Sequence, residues 1–99
     1  MPLEIAAGSG VQAVIFGVFG LRPHVDGSLT VAPSYHHELG QARLTGYRFR
    51  GHSYDVYLGF WDYEVYRDGK LARRSDYGKA AEFAANGSLK DQGDAETTF

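Results

Sequence analysis

The chain reads as a mainly β domain, a small antiparallel β-sandwich of about six strands with one N-terminal helix. Three observations lead there. Thirteen glycines stand beside seven tyrosines, six phenylalanines and one tryptophan, and glycine turns between aromatic runs mark an all-β unit. Residues Ser53–Phe60 alternate without a break, with Tyr54, Val56, Leu58 and Phe60 on one face, the period of a half-buried strand. Asp26-Gly27 and Asp68-Gly69 interrupt apolar runs at points where a two-stranded hairpin would reverse.

Residues 1–10, MPLEIAAGSG, read as a lead-in to a domain spanning 11–77. Ser9 is placed to cap a helix through its hydroxyl. From there Val11, Val14, Ile15, Val18 and Phe19 form one continuous stripe at helical spacing, which predicts a helix over Ser9–Phe19. Its other side carries Gln12, Ala13, Phe16 and Gly17. A helix apolar nearly all round is buried on two sides. Gly20 supplies the stop, and Pro23 forbids resumption.

The period then changes to two. Leu21–Val25 and Ser28–Ala32 predict a hairpin about Asp26-Gly27, closed by Pro33. SYHHELGQ is a loop. Along Arg43–Arg50 the apolar phase slips between Leu44 and Tyr47, so Gly46 marks a bulge. Gly51-His52 turns the chain into Ser53–Phe60. Tyr63 and Val65 lead into the second hairpin, which returns through Lys70–Arg73. Beyond Tyr77 the pattern dissolves, and residues 78–99 read as a flexible tail with room for one helical turn at Ala80–Ala85.

Composition excludes several function classes. A net charge of −2 leaves no electrostatic footprint for nucleic acid or an anionic membrane. There is no cysteine for a disulfide frame or thiolate chemistry. The Val11–Phe19 run is too short to span a bilayer. Met1-Pro2-Leu3-Glu4 is not a charged leader before an apolar run, which favours the cytoplasm over secretion.

His36, His37 and Glu38, with His24 upstream, are the metal-ligating types present. Adjacent histidines on an extended chain point opposite ways, whereas zinc needs convergent ligands. A polar loop is therefore the simpler account, and neither a metal nor another cofactor is expected. A small metal-dependent β-barrel enzyme stands as an outside alternative. Asp26 and Asp68 are accounted for by their turns, and no carboxylate pair is singled out for glycosidase chemistry. Tyr57, Trp61 and Tyr63 are different. Flat rings offered to solvent stack against sugar faces, so these three form a candidate carbohydrate platform. Arg22, Arg48 and Arg50 pair more simply with carboxylates across strands.

The stretch VQAVIFGVFGLRPHVDGSLTVAPS, followed after a loop by LTGYRFRGHSYDVYL, resembles the C-terminal end of bacterial glycoside hydrolases and phosphorylases built on an α/α six-hairpin barrel, maltose and kojibiose phosphorylases among them. In those enzymes the last barrel helix breaks at a Gly-Leu-Arg corner. It then enters a small β-sandwich through a hairpin like Asp26-Gly27. The likeness spans residues 9–72. It implies a non-catalytic accessory domain, since the family's catalytic acid and phosphate site belong to the barrel. It also implies that Val14, Ile15, Phe16 and Val18 are interface residues, covered by a barrel or by a second copy of the chain. Exposing a side chain such as Ile15 or Phe16 forgoes about 1.5–3 kcal/mol. A free chain should therefore fold the helix onto its own sheet or dimerise through it.

Overall fold

The computed structural model describes residues 3–9, 12–34 and 40–90. Among them are eight strands in two sheets, one short α-helix and a 3-10 turn. The strands are β1 (Leu3–Ala6), β2 (Leu21–Pro23), β3 (Leu29–Val31), β4 (Ala42–Phe49), β5 (His52–Leu58), β6 (Asp62–Arg67), β7 (Lys70–Asp76) and β8 (Ala81–Phe83). The helix α1 runs Gln12–Gly17, after the 3-10 turn Ala7–Ser9. One sheet has the order β1-β4-β5-β6-β7 and the other β2-β3-β8. The expected mainly β class with one N-terminal helix is what the chain adopts.

The hairpins follow turn chemistry. Phe49 pairs with His52 and Arg67 with Lys70, leaving Arg50-Gly51 and Asp68-Gly69 as two-residue loops. All four loop residues have positive φ, from 51° to 85°, as type I′ turns require. Leu44 pairs with Val56 and Tyr47 with Tyr54. One strand thus advances three residues while its partner advances two, which is the bulge expected at Gly46. Its φ is 75°, and its N–H donates to Asp55 Oδ1 at 2.9 Å. The extra residue brings Tyr47 and Phe49 to the core side that Leu44 occupies.

Both sheets contribute to one buried cluster. Leu21, Leu29, Val31, Ala81 and Phe83 join Leu44, Tyr54, Val56, Leu58, Tyr63 and Val65 there. Tyr54 and Phe83 meet edge to face with centroids 5.3 Å apart.

Four expectations are corrected. First, the lead-in contains β1, which pairs parallel with β4, so the larger sheet is not wholly antiparallel. Second, residues 81–83 are neither helix nor tail. Ala81 and Phe83 are fully buried, and β8 pairs antiparallel with β3. A three-residue strand is too short to display its period. The tail expected over 91–99 lies outside the described residues. Third, α-helix is confined to Gln12–Gly17, with Val18 and Phe19 N–H both donating to the Val14 carbonyl. Gly20 follows at φ 70°, and a Cβ there would collide with the Ala32 carbonyl. Fourth, Phe60 leaves the alternation of β5 and is half-exposed in the β5–β6 loop. Gly59 N–H donates to the Asp62 carbonyl at 2.9 Å, closing that loop one residue before the strand would have placed Phe60.

Candidate functional site

The side chains with chemistry gather on the outward face of the five-stranded sheet and on the β5–β6 loop. The registers place Glu4, Arg43, Tyr57, Glu64 and Arg74 in one row across all five strands. Neighbours in the row are complementary. Arg43 meets Glu4 at 3.1 Å and lies 4.8 Å above the Tyr57 ring. The Arg74 guanidinium donates to Glu64 Oε2, its Nε at 2.9 Å. Tyr66, from the next outward position of β6, donates its hydroxyl to Glu64 Oε1 at 3.0 Å and tilts against Tyr57 at 5.0 Å. Arg74 holds the Glu64 carboxyl below the usual carboxylate range, and Glu64 in turn pushes the Tyr66 hydroxyl up. Beside the row opens a shallow depression of about 350 Å³, bordered by Gln41, Arg43, Tyr57, Asp62 and Glu64.

The three proposed platform residues are not brought together. Tyr63 is fully buried at 0% exposure. Its hydroxyl donates to the Lys79 carbonyl, with the Val31 carbonyl 3.4 Å away. The alternation of β6 explains this, because Tyr63 shares its face with Val65, which is also core. Tyr57 does face outward, yet Arg43 on one side and Tyr66 on the other occupy its ring. Of the three, Trp61 alone stands open to solvent, 86% exposed at the loop tip between Phe60 and Asp62. Reasoning from sequence weighs Asp62 and Glu64 among the carboxylates and Tyr66 among the aromatics without assigning them to a site, and it does not single out Arg43. Their signal was present: once Val65 is assigned inward, period two sends Asp62, Glu64 and Tyr66 outward beside Tyr57.

The interface residues divide as well. Ile15 is buried at 1% exposure in the chain's own core, the first of the two outcomes expected of a free chain. Val14 and Val18 are partly buried against the core, and Phe16 is left 38% exposed. Helical geometry turns Phe16 about a quarter-turn from Ile15, and Phe19, beyond the helix, is buried with Ile15 in the core.

The remaining polar candidates serve local structure. Asp26 Oδ1 accepts from Ser28 Oγ at 2.6 Å and from Ser28 N–H at 2.9 Å, and these bonds hold its carboxyl below the usual range. Asp68 accepts from His52 Nδ1 at 2.7 Å and from Ser53 N–H at 3.0 Å, with the same effect. His24 Nε2 is 2.7 Å from Thr30 Oγ1. His36, His37 and Glu38 lie outside the described residues. Among the described residues no group of three or more His, Cys, Asp or Glu converges on a metal position, and no helix is long and apolar enough to cross a membrane. No protein family, characterised protein or solved structure matches the chain.

Proposed function

We propose that the chain is a non-catalytic accessory domain of a carbohydrate-active enzyme, a small β-sandwich that packs through α1 on a catalytic barrel or on a second copy of itself. The observation that carries this reading is the division of α1 and the two residues that follow it. Ile15 and Phe19 belong to the domain's own core, while Phe16 stays open to solvent between the half-covered Val14 and Val18. An aromatic ring left on a short apolar helix is the anchor type that central interface positions favour. The carbohydrate context comes from the resemblance of residues 9–72. The sandwich is supported by the single cluster of buried side chains that both sheets share.

Light scattering behind a sizing column tests the docking face. The wild type is expected to show concentration-dependent dimer, and Phe16→Asp a folded monomer. A wild type that stays monomeric at every concentration, with a melting curve unchanged in Phe16→Asp, would remove docking on a second copy and leave only packing on a barrel.

A second reading has its own observation. Trp61 is exposed on the β5–β6 loop next in the chain to Asp62, which lines the depression with Gln41 and Glu64, and their planar amide and carboxylates suit sugar hydroxyls. Because Trp61 is the single tryptophan, its fluorescence reports binding at this loop. Titration with malto-oligosaccharides is expected to give a saturable change that Asp62→Asn weakens. A flat titration would end the sugar-binding reading and leave the docking reading intact.

A further inference from the structure

Two segments sixty residues apart build the same turn. His24-Val25-Asp26-Gly27-Ser28-Leu29 and Ala84-Ala85-Asn86-Gly87-Ser88-Leu89 share the Gly-Ser-Leu ending. Their hydrogen bonds match one for one. Asp26 Oδ1 takes Ser28 N–H and Oγ at 2.9 and 2.6 Å, and Asn86 Oδ1 takes Ser88 N–H and Oγ at 2.9 and 2.8 Å. Gly27 N–H donates to His24 O at 3.0 Å, and Gly87 N–H to Ala84 O at 2.8 Å. His24 N–H donates to Ser28 O at 2.9 Å, and Ala84 N–H to Ser88 O at 2.7 Å. The glycines sit at φ 91° and 89°. The turns differ in one atom that matters: a carboxylate oxygen in the first is an amide nitrogen in the second.

We propose that Asn86, the only asparagine of the chain, is a site of spontaneous deamidation whose aspartate product the turn is already shaped to hold. Gly87 carries no side chain of its own beside its nitrogen, although the residue is buried with the His52 ring packed against it. The two donors on Asn86 Oδ1 stand where negative charge grows when the side-chain carbonyl is attacked. In the reaction the Gly87 nitrogen gives its proton to solvent base and bonds to Asn86 Cγ. The Cγ–Nδ2 bond breaks, and ammonia leaves with a proton from water. Water then adds to the five-membered imide at Cγ and cleaves the new Cγ–N bond. The normal backbone is restored with an aspartate at position 86, and no electron donor or acceptor is needed. Opening at the other imide carbonyl gives isoaspartate, whose longer backbone does not fit the 84–88 turn.

Asp26 shows what the product looks like in place, a carboxylate receiving the same serine donors. The surroundings also favour a new negative charge. The Arg67 guanidinium donates to the Gly87 carbonyl, and Lys70 and His52 border the same depression, with Asp68 as the acidic group among its lining residues. The turn also acts as a brake, because the bond from Gly87 N–H to Ala84 O must open before the nitrogen can attack. Net hydrogen-bond values make the native chain roughly tenfold slower than the unfolded one.

The test is peptide mass mapping of the full chain held at pH 8.5, native and in urea, alongside the Asn86→Asp variant. Expected are a gain of about one mass unit in tryptic peptide 80–90 of the native protein, slower than in urea, and a variant that melts at or above the wild type. A native peptide that keeps its mass while the urea sample converts would overturn the site. A variant that melts several degrees lower would overturn the claim that the turn holds the product.

Discussion

At the scale of single residues, function-like groups resolve into structural ones when their bonds are traced. Tyr63 is a platform candidate in sequence because it is an aromatic read as breaking the core alternation. Its hydroxyl instead ties β6 to the segment before β8 through the Lys79 carbonyl. Tyr63→Phe keeps the ring packed but strands that buried contact, at a cost of about 1–3 kcal/mol. Thermal unfolding should show the melting temperature falling by roughly 5 °C or more; an unchanged melt would mean water replaces the hydroxyl. Gly46 gives a second residue-level prediction. A Cβ there meets nothing within 4 Å, so the cost of Gly46→Ala is backbone strain alone. At φ 75° that is about 1–2 kcal/mol, read by urea unfolding. Gly20→Ala adds a collision with the Ala32 carbonyl to the same strain and should prevent folding.

At the scale of elements, the short pieces carry more than their length suggests. β8 has three residues, yet Ala81 and Phe83 are fully buried and pair with Val31 and Leu29. Phe83→Ala should cost about 3–5 kcal/mol, a large part of a total near 5–15 kcal/mol. A chain ended after Tyr77 should fail to give a cooperative melt, whereas a true tail would be dispensable. α1 makes a paired prediction. Ile15→Asp buries a charge and unfolds the domain, while Phe16→Asp keeps the circular dichroism of the wild type and a cooperative melt. Identical behaviour of the two variants would contradict the division of the helix between core and solvent.

For the whole molecule, acid stability follows from three carboxylates. Ser28 lowers Asp26, His52 lowers Asp68 and Arg74 lowers Glu64, each partner favouring the charged form. Carboxyls depressed in the folded state contribute stability above their unfolded values, and that stability is lost as pH falls through the folded ones. The melting temperature should be level near neutrality and decline below about pH 4. Asp68→Asn should flatten part of that decline. A melt that does not move between neutral pH and strong acid would show that these bonds add nothing net.

What the sequence determined by itself is the local grammar. Asp68-Gly69 reads as a hairpin turn because positive φ at both positions suits glycine and tolerates aspartate. Gly46 reads as a bulge because the apolar phase slips there, and Ser53–Phe60 reads as a strand, two residues too long, because its alternation is long enough to be seen. Tertiary structure alone decided the rest. β1 and β8 are too short to show a period, and each is a strand only because β4 or β3 offers it an edge. Ile15 and Phe16 are equally apolar in sequence, and only the position of the sheets makes one core and the other surface. The outward row from Glu4 to Arg74 needs four strand registers at once, and registers are set by pairing between distant segments rather than by any stretch of chain.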